Sequence, residues 1–135
     1  MAANGNVYVA DWDNDRIQYF TPTGSFKGTW GTHGSANGRF NCPTGVAVAP
    51  NGRVYVADSG NDRIQFFTAA GSFLGKWGKW GSNNGDFHSP RYVALSPSAN
   101  RVYVTDSWNS RVQYFRKSDP SVNPTSLGKV KALFR

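Results

Sequence analysis

The sequence predicts an all-β chain of repeated four-stranded antiparallel sheets, and three observations predict it. First, Asn6-Val-Tyr-Val-Ala-Asp11 returns as Arg53-Val-Tyr-Val-Ala-Asp58 and again as Arg101-Val-Tyr-Val-Thr-Asp106. Second, Tyr8, Tyr55 and Tyr103 set a spacing of 47 and then 48 residues, the length of a sheet-bearing unit rather than of a short helical repeat. Third, 15% of the residues are aromatic, only 17% are charged and 15 are glycine. That composition suits strands joined by tight turns, and it excludes a disordered chain.

The second unit, residues 38–78, shows the full pattern. Pro43-Thr-Gly-Val-Ala-Val-Ala-Pro50 reads as a short buried strand closed by a proline turn. Asn51-Gly52 is a turn dipeptide, Val54 to Ala57 the second strand, and Asp58 to Asp62 the next turn. Arg63 to Phe67 and Ser72 to Trp77 complete four strands in a meander. The first unit, residues 5–31, begins at the second strand, so its innermost strand is missing. The third, residues 85–131, follows the pattern through Phe115. A longer loop then precedes a fourth strand expected at 125–131.

Such sheets bury both faces only against neighbours. Radial stacking gives a β-propeller, closed by four to eight sheets as blades. Three blades leave two apolar faces open. The expectation is therefore a homodimer, two copies closing a six-bladed ring, with a fragment of a longer propeller as the alternative.

The pattern Pro-x-Gly-Val-Ala-Val-x-Pro-x-Gly-x-Val-Tyr-Val-Ala-Asp-x-x-Asn-x-Arg-Ile-Gln-x-Phe, followed by Gly-x-Phe and Trp-Gly, resembles the NHL repeat. The likeness is close over residues 5–115 and weak beyond. It implies a propeller, usually six-bladed, and leaves activity open, because the family spans enzymes, RNA binders and protein-binding modules. It also implies a structural role for the pairs Asp11 with Arg16, Asp58 with Arg63, and Asp106 with Arg111. Their constant spacing of five fits an arginine fork pinning a turn.

Enzyme chemistry finds little support in the residues. The peptidyl-hydroxyglycine lyase with similar repeats carries zinc-binding histidines after the strand-opening proline, where this chain has Thr44 and Arg91. Its two histidines are His33 and His88, fewer than a catalytic zinc normally needs. A calcium-centred hydrolase would have to rely on Asp13 and Asp86, the carboxylates outside the repeated turns. No catalytic residue, metal ligand or cofactor is expected, and a metal-dependent lyase or hydrolase is the weakest alternative.

Binding is the expected function, because loops can vary while sheets stay rigid. The residues that differ between units include Arg39, His88, Arg91 and Tyr92 on the strand-entry side, and Trp12 and Trp108 in the turns between second and third strands. Indoles at loop tips suit a protein or peptide ligand. Arginines beside aromatics suit single-stranded RNA, the first alternative. A structural, self-assembling half-propeller without ligand is the second.

Net charge is +7, with ten basic and seven acidic residues up to position 115 and five basic against one acidic beyond it. The basic excess thus gathers in the last segment, as a solvated strand or a contact for an acidic partner. No stretch is apolar enough for a membrane helix, so no membrane partner is expected. The single Cys42 allows no intrachain disulfide and reads as a buried filler. The opening Met-Ala-Ala-Asn-Gly carries no secretory pattern, which slightly favours a cytoplasmic setting.

Overall fold

The computed structural model describes residue 2 and residues 4–116. The fourth strand expected at 125–131 and the basic segment beyond position 116 lie outside the described residues. Among the described residues, ten strands form three antiparallel sheets of three, four and three strands. The first sheet holds β1 (Val7–Asp11), β2 (Arg16–Phe20) and β3 (Phe26–Trp30). The second holds β4 (Pro43–Val48), β5 (Val54–Asp58), β6 (Arg63–Phe67) and β7 (Phe73–Trp77). The third holds β8 (Pro90–Leu95), β9 (Arg101–Asp106) and β10 (Arg111–Arg116). Each pairs consecutive strands, as a meander with short connections must.

The repeated strand shows how neighbours decide burial. In β5 the alternating side chains face two ways: Val54 and Val56 pack toward the first sheet, Tyr55 and Ala57 toward the third. All four are fully buried. The same pattern in β1 buries neither valine: Val7 is 39% and Val9 42% exposed, because no sheet covers that face among the described residues. In β9 the valines, Val102 and Val104, are buried, while Tyr103 and Thr105 are only half-buried.

Two cores fill the seams between sheets. Tyr8, Ala10, Ile17 and Trp30 of the first sheet meet Val54, Val56 and Phe67 of the second, with Phe40 of the linker between them. Tyr55, Ala57, Ile64, Phe66 and Trp77 of the second meet Phe87, Val102, Val104 and Phe115 with the third. Each outer tryptophan crosses its seam: Trp30 lies 5.4 Å from Phe67 and Trp77 5.2 Å from Phe115, between ring centroids. Tyr8 reaches across the first seam to donate its hydroxyl proton to the Ala69 carbonyl at 2.7 Å.

The Trp-Gly dipeptides have a steric cause. Gly31 and Gly78 take φ of 106° and 103°, in the region that disfavours side chains. A Cβ on either would also meet the Phe40 or Phe87 ring at 2.5 Å. Glycine there lets the loop leading to the next sheet lay its phenylalanine into the seam.

Candidate functional site: an aromatic groove held by repeated carboxylates

The turn after each Val-Tyr-Val strand is one turn of 3-10 helix: Trp12–Asn14, Ser59–Asn61 and Ser107–Asn109. The residues that follow, Asp15, Asp62 and Ser110, take left-handed φ of 54°, 53° and 52°. A carboxylate organises each turn. Asp58 accepts hydrogen bonds from the Asn41 backbone N–H at 2.8 Å, Asn61 Nδ2 at 3.0 Å, Arg63 Nε at 2.7 Å and Gln65 Nε2 at 3.1 Å. Arg63 spends its other donors on the Ser35, Ala36 and Arg39 carbonyls, stapling the linker from the previous sheet. Asp106, Arg111 and Gln113 repeat this set, with Arg111 donating to the Ser82, Asn83 and Asp86 carbonyls.

The first sheet keeps only part of the network. Asp11 accepts from Arg16 Nε at 2.7 Å and from Asn14 and Gln18. Arg16 and then Asn14 hold its carboxyl below the usual aspartate value. Asp58 goes the other way: burial pushes its carboxyl up, against the pull of the Asn41 N–H, Asn61 and Arg63.

A second carboxylate ties neighbouring sheets together. Asp15 Oδ1 accepts the Cys42 N–H at 2.7 Å, and Asp62 Oδ1 accepts the Ser89 N–H at 2.8 Å. Each bond runs from the turn of one sheet to the loop opening the next. Sequence reading missed these latches and the buried glutamines. Two signals were present: Gln18, Gln65 and Gln113 recur in all three units, and Asp15 and Asp62 share a register in which the third unit has Ser110.

These turns frame an open groove of about 610 Å³ at one end of the sheets. Trp12 and Trp108 line it together with Arg91, Tyr92, Thr44 and Cys42. Trp12 is 57%, Trp108 72% and Tyr92 60% exposed. Thr44 Oγ1 donates to the Arg91 carbonyl at 2.6 Å, which joins the second and third sheets at the groove. The Trp108 N–H donates to the His88 carbonyl at 3.1 Å, and the His88 ring stacks on Trp108 with centroids 5.2 Å apart. Trp80 meets His88 edge-on at 6.0 Å. The imidazole thus supports an exposed indole.

Four of the residues singled out in the sequence therefore line one groove: Trp12, Trp108, Arg91 and Tyr92. His88 stands behind Trp108. Arg39 does not join them: it is exposed on the linker ahead of the second sheet, and its carbonyl accepts from Arg63 and Gln65. Cys42 is half-buried and lines the groove rather than filling a core. Burial first, then Asp15, Asp13 and Asp58, push its thiol up. His33 pairs with Asp15 at 3.1 Å, away from His88. Among the described residues no group of three or more His, Cys, Asp or Glu side chains is placed to hold a metal ion. No helix among them is long and apolar enough to cross a membrane.

Comparison with known proteins agrees with this architecture. The NHL repeat pattern matches residues 40–67 and 87–115, the second and third units. No curated protein sequence matches the chain. Among solved structures, streptogramin B lyase superposes with a TM-score of 0.66 at 17% identity, over 96% of this chain and 37% of that one. Hydrazine synthase from Kuenenia stuttgartiensis gives 0.66 at 16%, over 86% and 31%. Virginiamycin B lyase from Staphylococcus aureus gives 0.63 at 17%, over 96% and 36%. The chain spans about a third of the length of these structures, and at such identities the likeness shows the fold alone. The chain thus carries an NHL-repeat-like motif at two positions, within three sheets that match a partial propeller-like arrangement.

Proposed function

We propose that the chain is a non-catalytic binding module whose groove takes a protein or peptide segment. The observation that carries this reading is the convergence of Trp12, Trp108 and Tyr92 on one open groove while all three remain more than half exposed. Large aromatic side chains left in water are the usual anchors of a recognition surface. Arg91 adds one cation to orient an acidic group or a carbonyl. The repeated Asp–Arg pairs are engaged in holding turns and linkers, which supports a scaffold role for them.

The test is a screen of arrayed peptides and of short uridine-rich and adenosine-rich RNA oligonucleotides, followed by calorimetry. Peptide hits weakened by Trp108→Ala support the reading. RNA hits abolished by Arg91→Glu, with peptides inert, overturn it in favour of nucleic-acid binding.

A second reading concerns assembly. The first sheet exposes Val7, Val9 and Phe26, and the third exposes Val112. Two apolar sheet faces left open among the described residues favour completion by a second copy, as a six-bladed ring.

A further inference from the structure

We propose that two copies join head to tail, the outward face of the third sheet of one against the outward face of the first sheet of the other. We also propose that this seam is the one made to open. The inference rests on the two-copy reading and names the surfaces it would use.

Over the strands they share, the two outward faces repeat the apolar pattern on the two sides of the seams already closed within the chain. In the second sheet, Tyr55 pairs with Phe66 and Ala57 with Ile64, and these four are buried against the third sheet. The third sheet presents Tyr103 paired with Tyr114 and Thr105 with Val112, in the same register. On the other side, Val54 pairs with Phe67, and Val54, Val56 and Phe67 are buried against the first sheet. The first sheet presents Val7 paired with Phe20, and Val9 beside them. Even the ring geometry is preset. Phe67 and Phe73 lie 6.0 Å apart at 74°, and Phe20 and Phe26 lie 6.0 Å apart at 74°. A face that matches the third sheet's inner neighbour and a face that matches the first sheet's partner are complementary to each other, so a second copy fits both. Such a head-to-tail contact closes when two copies each supply one of either kind.

The new seam lacks a device that the internal ones share. Asp15 and Asp62 latch each internal seam to a backbone N–H, but their counterpart is Ser110, which has no carboxylate to offer. The contact is then apolar, without the latch, and should separate on dilution.

Light scattering after size exclusion, over a dilution series, tests both levels with the wild type, Val9→Glu and Val112→Glu. Both positions are surface-exposed in the single chain, and circular dichroism checks that the variants fold. Wild type is expected at twice the chain mass when concentrated and as single chains when dilute. Each variant should weaken association on the order of a hundredfold, because a charge enters an apolar contact. An equimolar mixture of the two variants should regain part of the association, since one seam in the mixed pair is unaltered. Single chains at every wild-type concentration overturn the two-copy reading. A wild-type dimer that persists in either variant keeps that reading and overturns the head-to-tail seam. A dimer that does not dissociate on dilution overturns the weak-seam claim.

Discussion

Asp62 accepts one backbone N–H across a seam, and Arg63 beside it donates to one carboxylate and three carbonyls. The two residues carry different weights. Asp62→Ala should cost about 1–3 kcal/mol, the range for losing a charged acceptor and leaving a part-buried N–H unpaired. Ser110→Ala should leave urea unfolding unchanged. Arg63→Lys should cost about 3 kcal/mol or more, because a point charge cannot replace the fork in a buried pair. Arg16→Lys, with its pair partly exposed and no linker for it to hold among the described residues, should cost far less. Equal losses for the two lysine variants would contradict the stapling role.

Asp11 adds a pH dependence with a definite sign. Its folded carboxyl titrates below the unfolded value of about 3.9, so its contribution is complete above that value. The contribution is lost as the pH falls through the lower folded value. Asp11→Asn should therefore flatten the acid limb of a stability profile below about pH 4 and leave neutral pH little altered. The repeated Asp–Arg spacing was legible in the sequence because both partners are side chains. The latches were not. Asp15 and Asp62 look like ordinary turn residues, and the backbone N–H groups of Cys42 and Ser89 leave no trace in residue type. Gln65 and Gln113 were equally hidden, since a polar residue inside a strand reads as its solvent side until a linker is found covering it.

Strands and turns were far more readable, because Val-Tyr-Val-Ala alternates with apolar character on both faces and turn dipeptides bracket it. What the pattern alone withheld was which copy of the strand would be covered. β1 and β5 share Val-Tyr-Val-Ala-Asp, yet β5 is buried throughout and β1 is half open. Burial here is set by neighbours, not by the strand's own residues. The Trp-Gly junctions also belong to this scale. Gly78→Ala combines a disfavoured φ with a clash on Phe87, and should lower the thermal midpoint by more than a surface Gly→Ala change does. A cost above about 1 kcal/mol is expected. A neutral result would mean that the linker can move away from the seam without loss.

At the scale of the molecule, sheets stacked side by side bring together turns that are far apart in sequence. Trp12 and Trp108 share a groove because each follows the Val-Tyr-Val strand of its own sheet, and these turns emerge at one end. Repeat register alone placed them among the variable positions, and equally placed Arg39 among them, which the structure sets apart. Position along the unit gives the end of the sheet. Whether a side chain leans into the groove or onto the linker depends on local contacts. The groove's one charged lining side chain, Arg91, lies among aromatic and small polar residues, so affinity should come mainly from aromatic contact.

The most direct measurement is the calorimetric affinity of the tightest peptide from the array for wild type, Trp108→Ala and Arg91→Glu, each at 50 and at about 200 mM salt. The account predicts a loss of about tenfold or more for Trp108→Ala, a smaller loss for Arg91→Glu, and weak dependence on salt. An affinity untouched by Trp108→Ala, abolished by Arg91→Glu and falling steeply with salt would contradict the aromatic groove as the binding surface.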